Sequence, residues 1–195
     1  MPDGTPPREL PHRVKRGWKA RLVARVRGEQ SRERLEANGL RIGRNVLIAS
    51  RVVIDPGFTW LVEIGDDTTI APGAQIIAHD AAPKHILGKT LVQRVTIGKR
   101  VYIGTGAIIL PGVTIGDEAI IGAASVVRDD IPAGAVAVGV PARVVSSRDD
   151  LRARHEQLMA TRPVWDWSWT RHGGITEDRM RAMYDALADG PGYVT

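Results

Sequence analysis

His79 is the residue best placed to do chemistry in the middle of the chain. It stands in Ile76-Ile77-Ala78-His79-Asp80-Ala81-Ala82-Pro83-Lys84-His85, where an aliphatic run gives way to a polar, loop-like segment. An imidazole titrates near ~6.5 in water, so at neutral pH it can accept a proton from a hydroxyl or an amine. A loop histidine making an ordinary hydrogen bond is the competing reading. Asp80 follows directly and has two readings of its own. It orients the His79 ring and steadies the imidazolium, or it makes the local turn that Asp commonly makes in loops. The chain contains no cysteine, which excludes a Cys nucleophile, thiolate metal ligands and a disulfide scaffold.

What must position His79 is a six-residue repeat. An aliphatic residue returns at Ile42, Ile48 and Ile54, at Ile64, Ile70 and Ile76, and at Ile97, Ile103, Ile109, Ile115, Ile121 and Val127. The next residue is small in most hexads, as in Gly43, Ala49, Gly65, Ala71, Gly98, Gly104, Gly116 and Gly122. This period is neither the 3.6 of a helix nor plain alternation. A short strand plus a tight corner, repeated so that strands stack into a parallel coil, accounts for it. With three hexads per turn, the aligned columns are 42/64/97/115, 48/70/103/121 and 54/76/109/127.

Two interruptions, Trp60 to Glu63 and Ala82 to Thr96, then leave from the same corner on successive turns. Insertions gathered on one edge of a solenoid commonly build its binding face. Asp55 takes the place of the usual small residue, one turn before Ile77. Stacked strands lie ~4.8 Å apart, so Asp55 and His79 are expected to be neighbours, unless Asp55 is merely a solvated turn carboxylate.

The flanks read differently. Residues 1–40 hold ten Lys or Arg against five Asp or Glu, so the net +5 of the whole chain sits there, the remainder being balanced at 17 of each. Val14, Trp18, Leu22 and Val26 form an apolar stripe at helical spacing, and Gly39 suits a helix C-terminus. This segment either caps the open end of the coil or lies on an anionic membrane surface. Arg148 to Thr161 and Thr176 to Ala188 read as helices. Trp165, Trp167 and Trp169 suggest an extended segment with all three rings on one face, packing against a neighbouring surface or stacking on a sugar. No apolar run approaches the ~20 residues of a membrane span, and no secretory signal is legible. A cytoplasmic protein without a nucleic-acid partner is the expectation.

The hexads, the segment from Ile54-Asp55-Pro56 to Glu63-Ile64-Gly65-Asp66, the Ala78-His79-Asp80 triplet, the run Val101-Tyr102-Ile103-Gly104 to Ile115-Gly116-Asp117 and the closing Gly139-Val140-Pro141-Ala142-Arg143-Val144 together resemble a hexapeptide-repeat acetyltransferase. The likeness is to the maltose, galactoside, nodulation and capsular sugar O-acetyltransferases, over about Leu40 to Val145. It implies a mainly β protein: a left-handed parallel β-helix over 41–145, flanked by helical extensions at 1–40 and 146–195, assembled as a homotrimer. It implies an acetyl-CoA-dependent enzyme acting on a sugar or polysaccharide hydroxyl, with no metal. His79 matches the general base, and Asp55 a carboxylate that helps hold the acceptor. Thr105 matches a residue whose backbone N–H faces the thioester. Ala123 and Arg143 match positions along the coenzyme A arm. Tyr102 stands where Trp is usual against the acyl donor. Arg128 and Asp129 replace Thr and Lys near the donor phosphates, with Arg128 expected to carry the charge.

N-acetylation of an amino sugar is an alternative within the family. A zinc hydratase built on the same coil wants three converging histidines, whereas only His79 and His85 lie in or near it. A catalytically silent scaffold is a third reading.

Overall fold

A computed structural model describes residues 31–195. The Val14–Val26 stripe expected to cap the coil or meet a membrane lies outside the described residues. Within them, helix α1 (Arg32–Ala37) is capped by Ser31, whose hydroxyl accepts the Arg34 N–H, and the chain leaves it through Gly39 at φ +88°. Leu35 of α1 is buried against the beginning of the coil.

From Arg41 onward the chain winds through three parallel sheets in turn. Arg41–Ile42, Val62–Ile64, Val95–Ile97 and Thr114–Ile115 form the first face. Leu47–Ile48, Thr69–Ile70, Tyr102–Ile103 and Ile120–Ile121 form the second, and Val53–Ile54, Gln75–Ile76, Ile108–Ile109 and Val126–Val127 the third. The registers are those of the aligned hexads. Ile42 pairs with Ile64 and Ile64 with Ile97, Ile48 pairs with Ile70 and Ile70 with Ile103, and Ile54 pairs with Ile76 and Ile76 with Ile109. The coil closes on an antiparallel hairpin, Ala135–Gly139 with Ala142–Ser147, whose first strand stacks on the second face.

Three features of the hexad force this winding. Its aliphatic residue points inward, and from Ile54 to Val127 each one is fully buried. Burying such a side chain contributes roughly 1.5–3 kcal/mol, and the stacked columns make one continuous core. The next position must be small because successive turns nearly touch: a Cβ on Gly65 would lie 2.6 Å from the Gly98 carbonyl carbon. The fourth position carries the corner in the left-handed region, at Asn45, Arg51, Asp67, Arg100, Glu118 and Ala124 as well as at glycines. Non-glycine residues accept that conformation at some cost, which the stacked hydrogen bonds offset. At the third corner the pattern breaks on two successive turns, after Ile54 and after Ile76. There the chain departs instead of turning.

The C-terminal segment contains α2 (Arg148–Met159) and α3 (Glu177–Ala186), counting only the longer helices. Ser147 and Asp150 form a reciprocal capping box on α2, and Thr176 caps α3. The Arg148 N–H donates to the Gly134 carbonyl at 2.7 Å, and the Arg148 guanidinium pairs with Glu118, which also pairs with Arg100. The tryptophans do not share one face of an extended strand. Trp165 lies in a short strand paired with Tyr193–Val194, whereas Trp167–Trp169 form a 3-10 turn fixed by Asp166. The turn brings Trp169 to 5.7 Å from Trp165 and puts Trp167 against His172 instead. The Asp166 side chain, accepting the Ser168 N–H, is the local bond that displaces the extended conformation.

Among the described residues no helix is long and apolar enough to cross a membrane.

Candidate active site

Both departures from the third corner converge on one carboxylate. Asp55 is fully buried, and its carboxylate meets four partners, two in the turn that follows it and two on the next coil. Its Oδ1 accepts the Gly57 N–H (3.0 Å) and the Phe58 N–H (3.1 Å). Its Oδ2 accepts the Ala78 N–H at 2.9 Å from the next coil and faces His79 Nδ1 at 2.5 Å. Burial alone would push the Asp55 carboxyl up. The hydrogen bonds from His79 and from the Ala78 and Gly57 amides outweigh it, and the group is held below the usual carboxylate range. Asp55 is therefore ionised at neutral pH.

An ionised carboxylate at Nδ1 decides the tautomer. The Nδ1 proton is donated to Asp55, and Nε2 is left with its lone pair. The ring is positioned from two further directions. His79–Asp80 pairs antiparallel with Leu91–Val92, so the second departure begins as a hairpin arm, and the Gln93 N–H donates to the Ala78 carbonyl at its base. The Phe58 ring, from the first departure, stands 5.3 Å from the imidazole. About a third (35%) of the His79 side chain stays exposed. The result is an oriented imidazole, open on one side.

The Asp80 carboxylate bonds the backbone rather than the ring. It accepts the Ala82 N–H at 2.8 Å and turns the arm toward a short helix at Lys84–Leu87. Of its two readings, Asp80 shows the contact of the turn, and the carboxylate at the His79 ring is that of Asp55 from the preceding coil. Phe58 and the three amides that hold Asp55 were not singled out from the sequence. Asp55-Pro56-Gly57 is a turn pattern in which Asp bonds the backbone two residues on, and it was the available signal.

The remaining expected residues lie elsewhere on the coil. Thr105 and Ala123 are exposed and consecutive on the edge between the second and third faces, where the Ala124 N–H donates to the Thr105 carbonyl at 2.8 Å. Tyr102 is exposed on the second face between Thr69 and Ile120. Arg143, on the closing hairpin, and Arg128 both reach Asp129 Oδ2, at 3.0 and 3.3 Å. Arg128 foremost, with Arg143 also contributing, keeps the Asp129 carboxyl below its ordinary range. The Asp55–His79 dyad occupies the edge between the third and first faces, the edge that Arg128 joins at the end of the coil, whereas Thr105 and Ala123 do not lie on it. Within one chain these groups belong to two different edges. Among the described residues, no group of three or more His, Cys, Asp or Glu is arranged to hold a metal ion.

Comparison with known proteins matches residues 94–129 to the bacterial transferase hexapeptide (six repeats) family. Nodulation protein L of Rhizobium meliloti (strain 1021) is 55% identical over 86 residues, which is 43% of this chain and 47% of that protein. The chain thus spans about half the length of that relative. Serine acetyltransferase of Mycobacterium tuberculosis (strain ATCC 25618 / H37Rv) is 36% identical over 179 residues, covering 88% of this chain and 70% of that protein. The solved structure of a galactoside acetyltransferase in complex with coenzyme A superposes with a TM-score of 0.53 at 29% identity, over 66% of this chain and 74% of that one.

Proposed function

The chain belongs to the hexapeptide-repeat acetyltransferases, and from that premise we propose that it moves an acetyl group from acetyl-CoA to a hydroxyl of a sugar or polysaccharide precursor, with His79 as general base. The observation that carries this reading is the buried Asp55 at 2.5 Å from His79 Nδ1, which leaves Nε2 free to accept a proton.

The reaction is a direct transfer. The acceptor hydroxyl gives its proton to Nε2 as its oxygen attacks the thioester carbonyl. Charge then develops on the carbonyl oxygen, where the Thr105 N–H is the proposed donor. As the C–S bond breaks, the leaving thiolate takes the proton back from Nε2. Acetyl ester and coenzyme A result, and His79 returns to its starting tautomer. Asp55 keeps its negative charge throughout and steadies the imidazolium between the two proton transfers, without touching the reacting atoms.

The coil is proposed to be left-handed, as the family likeness implies, with 41–145 as the catalytic unit between extensions at 1–40 and 146–195. Two edges carry the proposed groups, so a second copy is needed to bring a Thr105 edge to a His79 edge, and a homotrimer does this three times over. The apolar tip of the hairpin arm, Ile86 and Leu87, is exposed and suits contact with that copy. Arg128 and Arg143 are more than half exposed on either side of Asp129, so a phosphate of the donor can replace the carboxylate without drawing a charge from the interior. A cytoplasmic location, where acetyl-CoA is available, belongs to the same proposal.

Release of free thiol from acetyl-CoA in the presence of methyl pyranosides tests it. Acceptor-dependent release that collapses in His79→Ala supports the reading. Release that is independent of both acceptor and His79 overturns it.

A further inference from the structure

Trp60 is fixed at its backbone and uncommitted at its ring. It sits on the 3-10 turn Thr59–Leu61. Buried Thr59 anchors that turn by donating its hydroxyl to the Asp55 carbonyl at 2.8 Å, and the Leu61 N–H closes it on the Phe58 carbonyl at 2.9 Å. From the other side, the end of α1 presses so closely that a Cβ on Gly39 would lie 2.9 Å from the Trp60 Cβ. Yet 54% of Trp60 is exposed, and it is absent from the core that Phe58 and Leu61 pack against. Its ring stands 5.6 Å from Phe58 at 58°, and Phe58 in turn stands 5.3 Å from His79. Phe58 therefore contacts both the exposed Trp60 ring and the His79 imidazole.

We infer that Trp60 is the platform on which the acceptor lies, and that the acceptor it selects is a pyranoside with a continuous C–H face. This rests on the acetyl-transfer reading and narrows it. A pyranose in which several ring hydrogens point the same way presents a flat apolar face, and an indole offers a flat, electron-rich surface of matching size. Stacking the two sheds water from both while the sugar hydroxyls remain at the ring edge, where one can turn toward Nε2. Phe58 fills the space between platform and base, so the distance from the stacked ring to His79 is set by side chains the fold holds rigid. An amino-acid acceptor such as L-serine has no face to lay on Trp60 and gains nothing from it.

Steady-state transfer to methyl β-D-glucopyranoside and to L-serine, in wild type, Trp60→Ala and Trp60→Phe, tests the inference. The Michaelis constant for the glucoside rises about tenfold in Trp60→Ala and about threefold or less in Trp60→Phe, while that for acetyl-CoA stays within about twofold. Binding is read separately by quenching of tryptophan fluorescence in a His79→Ala background, where no transfer occurs. Glucoside quenching that disappears on adding Trp60→Phe supports the platform. An unchanged glucoside constant in Trp60→Ala, a preference for L-serine, or quenching indifferent to Trp60 overturns it. So does a change of sedimentation coefficient in Trp60→Ala, which would make Trp60 a contact between copies. Absence of transfer to every acceptor is a different failure, that of the acetyltransferase reading, and the quenching result still decides the platform.

Discussion

Asp55→Asn is a one-atom change that sets the dyad against its own surroundings. The carboxylate faces four donors: two amides at Oδ1, an amide and the imidazole at Oδ2. An asparagine brings one oxygen and one NH2. With the oxygen toward Gly57 and Phe58, the NH2 meets the Ala78 N–H, and His79 Nδ1 must become an acceptor. The imidazole proton then sits on Nε2, and the base is lost. With the amide flipped, Nε2 keeps its lone pair, but the Gly57 and Phe58 amides lose their acceptor.

Each buried N–H left without a partner costs about 1–3 kcal/mol. A chain of this size loses about 2–4 °C of melting temperature per kcal/mol. The turnover number should fall about 10²–10⁴-fold, the range of a lost or misdirected general base. The dissociation constant for coenzyme A should stay put, because Asp55 is buried behind the His79 ring. Thiol release at saturating donor, calorimetric titration with coenzyme A and a thermal melt read the three quantities. The pH dependence adds a sign. Asp55 titrates below its unfolded value, so its contribution is present above the unfolded pKa and is lost as pH falls through the folded one. The gap in melting temperature between wild type and Asp55→Asn should hold above roughly pH 5 and close on acidification. Turnover within about fivefold of wild type, with the fold intact, would refute the tautomer argument.

Other outcomes follow from the same geometry. Asp80→Ala should leave turnover within about threefold of wild type, because its carboxylate serves only the Ala82 turn; a loss like that of Asp55→Asn would return the orienting role to Asp80. Gly104→Ala places a Cβ 2.5 Å from the Ala123 N and should destabilise the coil by about 1–3 kcal/mol in urea, with no change being the contrary result. Ile103→Ala, at a fully buried column position, should cost about 2–5 kcal/mol by the same measurement. Arg143→Ala should raise the Michaelis constant for acetyl-CoA about fivefold or more at constant turnover, and an effect on turnover alone would remove it from the donor arm.

Much of the coil could be read before its structure was known, because its determinants are local and repeat. One inward aliphatic residue and one small neighbour per hexad fix both the face and the register, so Ile42 over Ile64 over Ile97 follows from spacing. The proximity of Asp55 to His79 follows from the same stacking. What spacing does not carry is the competition among hydrogen bonds at a corner. Asp80 adjoins His79 in sequence, yet its nearest unsatisfied donor is the Ala82 N–H two residues on, and the turn takes it. Asp55 reaches His79 through the third dimension instead. The tryptophans failed for a related reason: alternation predicted a strand through Trp169, but Asp166 accepting the Ser168 N–H made a turn after Trp165. Phe58 was invisible because nothing periodic marks an insertion.

The most direct measurement is the acetylated sugar itself. Wild type and His79→Ala, incubated with acetyl-CoA and a methyl pyranoside, are compared by mass spectrometry of the acceptor alongside the rate of thiol release. Acetyl ester accumulating with wild type, and about 10²–10⁴-fold more slowly with His79→Ala at unchanged coenzyme A affinity, is the result expected of a proton-accepting His79. Equal rates in the two proteins would contradict it.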